Sequence, residues 1–127
     1  QDTIIQALNY HLAGLIADGK GNYDSSAFYH EKALAIWQKD SLRNNSNLAK
    51  ANLNIGISNQ KNGRYEIALE YEQKALYALE DTTHQTSEDI ISKAAVLDQL
   101  GVTYALKGDI DQAIDYQEKA LSIRQEK

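Results

Sequence analysis

Apolar positions recur along the chain at the three-to-four-residue spacing of an α-helix, in blocks that come in pairs. Val96, Leu97, Leu100, Tyr104 and Leu106 form one broad apolar stripe. It stops at Gly108, and Ile110, Ala113, Ile114, Tyr116, Ala120, Leu121 and Ile123 form a second. An earlier block behaves the same way. Leu53, Ile55, Gly56 and Ile57 lead to Asn62-Gly63, and Tyr65, Ala68, Leu69, Tyr71, Ala75, Leu76 and Leu79 follow. Glycine at each break is the residue that most readily takes the left-handed conformation ending a helix. Asp109 is placed to cap the helix after Gly108, with Gln112 as its capping-box partner. The chain contains no proline to interrupt a helix. This pattern predicts antiparallel helix pairs.

The pairs are copies of one another. Residues 21–34 read GNYDSSAFYHEKAL, residues 63–76 GRYEIALEYEQKAL and residues 108–121 GDIDQAIDYQEKAL. Aligned on Ala33, Ala75 and Ala120, the copies are offset by 42 and 45 residues. Gly14, Gly56 and Gly101 fall 19 residues before the aligned alanine, and Gly21, Gly63 and Gly108 fall 12 before it. Tyr23, Tyr65 and Ile110 fall 10 before it, and Lys32, Lys74 and Lys119 immediately precede it. Polar runs from Ser41 to Asn47 and from Asp81 to Ser87 separate the copies. We therefore divide a single domain, 1–127, into repeats 1–40, 41–85 and 86–127. A mid-helix glycine costs about 1 kcal/mol against alanine. Its recurrence at one position predicts close approach of the two helices of a pair, with Ala33, Ala75 and Ala120 facing the glycines. One pair cannot cover both its apolar faces, whereas stacked neighbours do. The expected fold is all-α, an α-solenoid of three antiparallel helix pairs.

The combination of signature positions resembles the tetratricopeptide repeat. Gly56, Gly63, Tyr65, Ala68 and Ala75-Leu76 stand where that motif places its marker residues, as do Gly101, Tyr104, Gly108, Ala113 and Ala120-Leu121. The first copy is looser, with Ser26 in place of the motif's alanine. The long period is similar to that of kinesin light chains, Leu-Gly-Asn-rich G-protein regulators and many bacterial signalling proteins. Two departures stand out. Gln38, Glu80 and Gln125 replace the proline that usually ends the second helix, which lets that helix run further. His30, Glu72 and Gln117 replace the large aromatic expected three residues before the alanine, and Tyr29, Tyr71 and Tyr116 stand one position earlier.

The resemblance implies a non-catalytic module that binds a protein or peptide in the concave groove lined by the first helices, as scaffold or regulator. The rival it implies is the input domain of a bacterial signalling enzyme, a sensor kinase or caspase-like protease. We expect the groove stripe at fixed offsets from the mid-helix glycine, rotated from the core stripe. It comprises Leu8, His11, Leu15 and Asp18; Lys50, Leu53, Ile57 and Gln60; and Ala95, Asp98, Val102 and Ala105. Asn54 joins them through the resemblance, since asparagines near this place bind ligand backbone in related grooves.

Composition narrows the chemistry. Net charge is −5 and no basic stripe is visible, which argues against a nucleic-acid partner. The chain has no cysteine, so disulfides, thiolate nucleophiles and cysteine-ligated metals are excluded. No apolar run is long enough for a membrane span. Gly14 to Lys20 matches a phosphate-binding loop until its last position, where Gly21 stands instead of Ser or Thr. Asp109, Asp111 and Asp115 lack the spacing of a calcium loop and read as helix-capping acids. His11, His30 and His84 share no metal-ligand spacing, and His30 is expected to pack at a helix surface. Trp37 is expected between repeats. We therefore expect no cofactor, no metal and no enzymatic activity. The start Gln1-Asp2-Thr3 suits either a mature end left by a leader peptidase or a cut from a longer chain, and the compartment stays open between cytoplasm and a bacterial periplasmic or secreted location. We expect a fragment whose third pair leaves Tyr116, Leu121 and Ile123 partly uncovered and able to self-associate.

Overall fold

The computed structural model describes residues 3–39, 44–80 and 86–125. Six helices fill these segments: α1 (Thr3–Gly19), α2 (Tyr23–Trp37), α3 (Asn45–Lys61), α4 (Tyr65–Glu80), α5 (Ser87–Lys107) and α6 (Ile110–Gln125). No strand occurs among the described residues. Successive helices pack as the hairpins α1–α2, α3–α4 and α5–α6, and the hairpins stack through α2 on α3 and α4 on α5. α3 also touches α5, so these first helices run side by side. This is an α-solenoid of helix pairs.

Each hairpin turn is built the same way. Gly21, Gly63 and Gly108 adopt positive φ of 79°, 79° and 97°, a region closed to most side-chain-bearing residues. The next residue then donates its N–H five residues back: Asn22 to Ala17 at 2.9 Å, Arg64 to Asn59 at 2.8 Å and Asp109 to Tyr104 at 2.8 Å. This is the 6→1 bond that satisfies an orphan carbonyl at a helix end. Asp109 caps α6 as the sequence predicts, accepting the Gln112 N–H at 3.4 Å.

The polar runs between copies are shorter than expected, because helices begin inside them. Asn44 caps α3 by accepting the Asn47 N–H at 3.0 Å, so Asn45 to Asn47 are already helical. Thr86 caps α5 in a reciprocal box with Asp89. The rest of both runs lies outside the described residues. α5 has 21 residues against 17 in α1 and α3. The glycine-to-glycine spacing within the pairs is unchanged, and compared with α3 three of the four extra residues lie at the N-terminal end of α5. These three account for the longer second offset. Loss of the terminal proline does not extend α2, which ends at Trp37 before Gln38, whereas α4 and α6 reach Glu80 and Gln125.

The core runs through the stack as one cluster, from Ala7 and Ala33 through Trp37, Leu48, Ile55, Ala75 and Leu79 to Val96 and Leu100. Burial of this apolar surface, at about 25 cal/mol per Å², is the main stabilising term. Trp37 is buried against the next repeat, as the sequence predicts.

Candidate functional site

The mid-helix glycines mark where the helices of a pair come closest, but their neighbours are not the alanines. A Cβ added at Gly14 would lie 2.5 Å from the His30 ring, one at Gly56 2.6 Å from Glu72 Cγ and one at Gly101 2.5 Å from Gln117 Nε2. The positions opposite the glycines are thus those where the motif's large aromatic is replaced by a polar residue. Ala33, Ala75 and Ala120 are buried at the adjoining position. His30, expected at a helix surface, is fully buried, and so is Glu72. The covering groups come from other helices: α1 for His30, and α3 and α5 for Glu72.

The two inter-repeat seams are lined with polar groups. At the first seam the Ser26 and Ser58 hydroxyls meet at 2.8 Å, so the serine that replaces the motif's alanine is hydrogen-bonded. Among the described residues neither His30 ring nitrogen has a partner there, and Asp18 Oδ1 is likewise buried without one. Burial, then the nearby His11, push the His30 pKa down to about 4 against the opposing pull of Asp18. At the second seam the Thr103 hydroxyl lies 2.8 Å from Glu72 Oε1. Gln60 Nε2 donates to Thr103 Oγ1 at 2.7 Å and to Gln99 Oε1 at 3.1 Å. Burial pushes the Glu72 carboxyl up to about 8, against the Thr103 hydrogen bond. Outside the helices' apolar stripes, a further tie joins α3 to α5: the Ser46 hydroxyl donates to Asp89 Oδ1 at 2.8 Å. This bond, with the Thr86 backbone, holds Asp89 below the usual carboxylate range.

In each first helix the positions four before, one before and three after the mid-helix glycine form the core stripe. Ala17, Asn52, Ile55, Asn59, Leu97 and Leu100 are buried, and Tyr10, Ala13 and Tyr104 are half-buried. The residues expected in the groove fall beside it. Leu8, Leu15, Lys50, Val102 and Ala105 are exposed, while His11, Asp18, Leu53, Asn54, Ile57 and Ala95 are half-buried. His11 and Asn54 meet across α1 and α3, with Asn54 Nδ2 3.5 Å from His11 Nδ1. Burial, then the Lys50 ammonium, hold the His11 pKa below its ordinary value. A small cavity of about 60 Å³ opens here among Leu8, His11, Trp37, Asn47, Lys50 and Ala51.

Two expected groove residues are engaged elsewhere. Gln60 is buried, with its amide held in the second seam. Asp98 pairs with Arg124 of α6, and its backbone carbonyl accepts from Gln117 Nε2 at 3.1 Å. Asp98 and Arg124 thereby line an open furrow of about 380 Å³ with Ala113, Ile114, Gln117 and Leu121. Of the residues expected at the uncovered third pair, Leu121 is 54% exposed, while Tyr116 and Ile123 are half-buried. Tyr116 stacks on Tyr104, ring centroids 5.6 Å apart.

Gly14, offered by the loop-like run to Lys20, lies inside α1 against His30. Among the described residues, no three of His, Asp and Glu gather at metal-binding spacing. No helix of the described residues is long and apolar enough to cross a membrane.

Glycine-marked hairpins, stacked through their second helices, define a class of helical-repeat protein whose members generally bind proteins or peptides. Comparison with known families agrees: a tetratricopeptide repeat model matches residues 3–81 and another matches residues 94–127. The chain belongs to the tetratricopeptide repeat family, whose repeats generally mediate protein–protein interaction and are typically non-catalytic. No curated protein matches it.

Proposed function

We propose that the chain is a non-catalytic interaction module that takes a peptide or protein segment along the face of its first helices, as a scaffold or regulatory domain. One observation carries this. Around the half-buried Asn54 amide, the first helices expose Leu8, Leu15 and Val102 to solvent, with the cation Lys50 among them. Lys50 makes no ion pair with a described residue. Exposed aliphatic surface around a few convergent polar groups suits an extended or helical segment, with side chains in the apolar strip and backbone on the amide. His11, Leu53 and Ile57 complete the floor. Asp18, Gln60 and Asp98 fall outside this site: Asp18 flanks His30, and the other two are tied to neighbouring helices. The offsets of 42 and 45 residues support the long-period subclass of these repeats.

The test is selection of peptides on the immobilised protein, followed by affinity measurement for the winner. The Lys50→Glu, Asn54→Ala double variant is expected to lose at least about tenfold in affinity. Substitution of the exposed Glu31 on α2 is expected to change nothing. Equal affinity for all three proteins would assign binding to another surface.

A further inference from the structure

We infer that the seam between the second and third hairpins is proton-gated: the buried Glu72 carboxyl must carry a proton for α5 and α6 to dock firmly, and its ionisation loosens that seam while the first stays closed. Glu72 is fully buried on α4 where α3 and α5 pack against it. From α3 it meets Gly56 and, at 3.5 Å, the Gln60 amide. From α5 it meets the Thr103 hydroxyl at 2.8 Å. No cation among these groups balances a carboxylate, and no charged neighbour contributes to its shift.

Among the described residues, the hydrogen bonds around Glu72 are too few to hold a buried charge: one hydroxyl at 2.8 Å and one amide at 3.5 Å. Thr103 has one proton, and its oxygen lies 2.8 Å from Glu72 Oε1 and 3.0 Å from the Gln99 carbonyl. Thr103 Oγ1 donates to Glu72 Oε1 and accepts from the Gln60 amide. An ionised Glu72 has no cation beside it among those residues and leaves a charge in a dry interface. The charged form is therefore relieved when α5 moves away and water enters. The first seam has a histidine at the same place, with the titratable groups His11 and Asp18 facing it from α1, and it responds in the opposite direction. The carboxyl's rise to about 8 places the transition between neutral and mildly alkaline pH.

Amide hydrogen exchange on the intact chain, corrected for intrinsic rates, tests this between pH 6 and 9. Protection in α5 and α6 is expected to fall by up to about tenfold per pH unit to pH 8 and to level off above it, while α1 and α2 show a smaller change. In Glu72→Gln the selective fall is expected to vanish. Should that variant not fold, a carbon-13 titration of the wild-type Glu72 carboxyl reads the same group directly. A midpoint at the ordinary value overturns the proposal. So does protection that falls equally in all six helices, stays flat with pH, or falls unchanged in Glu72→Gln.

Discussion

The first and second seams occupy equivalent places in the stack and share a backbone, yet they solve the same packing problem with different chemistry. In both, a polar side chain three residues before a buried alanine presses on the mid-helix glycine of its own pair. In both, a buried hydroxyl two residues after the next glycine, Ser58 or Thr103, reaches the second helix of the preceding hairpin, at Ser26 or at Glu72. At the second seam the hydroxyl closes a network with Glu72 and Gln60. At the first, Ser58 pairs with Ser26 instead, and His30 and Asp18 keep unpartnered buried atoms. Close helix approach at the glycine thus fixes the geometry, while the polar filling differs from seam to seam and sets how each responds to protons.

The largest effects should come from the glycines that hold this geometry. Gly56→Ala puts a methyl 2.6 Å from Glu72 Cγ and 3.2 Å from the Ala68 carbonyl, which is backbone and cannot swing away. A loss of about 1–2 kcal/mol is expected in urea unfolding, because overpacking outweighs the helix-propensity gain. Gly101→Ala meets only the exposed Gln117, whose amide can rotate aside, and is expected to stay within about 1 kcal/mol of wild type. Equal losses at the two sites would mean that the backbone contact at Gly56 does not set the cost.

Next comes the response of stability to pH. Glu72 titrates near 4.5 when unfolded and about 8 when folded, so the folded state keeps a proton that the unfolded state gives up. Stability drops by about 1.4 kcal/mol per pH unit across that interval and is level above it. His30 moves from 6.5 unfolded to about 4 folded, so its penalty is full below pH 4 and gone by 6.5. The two slopes oppose each other between 4.5 and 6.5, leaving a net decline from 6.5 to 8. Urea midpoints at pH 6.5 and 8.5 should differ for wild type and coincide for Glu72→Gln.

A smaller gain is expected from giving the first seam the aromatic typical of the family. His30→Phe removes two unpartnered buried nitrogens and should stabilise by about 1 kcal/mol at pH 7, with the acid-side penalty abolished. A loss at pH 7 would show that His30 finds partners in solution. Smallest of all are the exposed ties between hairpin turns. Asp24 accepts from Arg64 at 2.8 Å across the first seam, and Lys107 donates to Glu66 at 2.8 Å across the second. Asp24→Asn and Glu66→Gln should each cost no more than about 0.5 kcal/mol, less at high salt.

The helices and turns were legible because they are written locally. Glycines at fixed offsets, caps such as Asp109 and apolar stripes at helical spacing each depend on a few neighbouring residues. The core stripe around Gly14, Gly56 and Gly101 could be read from the same periodicity. The burial of His30 and Glu72 was not legible, since a polar residue on a helix looks solvent-facing until another helix covers it. Thr103 lies 31 residues from Glu72, and nothing in the local pattern links them. The same blindness affected the candidate groove. Rotating from the glycine selected exposed Lys50, Leu15 and Val102 beside half-buried Asn54, but it could not see that Arg124 would engage Asp98 or that the second seam would bury Gln60. The alanines were assigned to the glycines on size alone, whereas flexible polar stems of His30, Glu72 and Gln117 fill that space.

The most direct measurement of seam chemistry is a pair of double-mutant cycles at pH 6, one between Glu72 and Thr103 and one between His30 and Ser58, each by alanine substitution and urea unfolding. The first is predicted to show a coupling of about 1–2 kcal/mol and the second less than about 0.5 kcal/mol, because only the first pair shares a hydrogen bond. Equal couplings, or none between Glu72 and Thr103, would contradict the account of how these hairpins are joined.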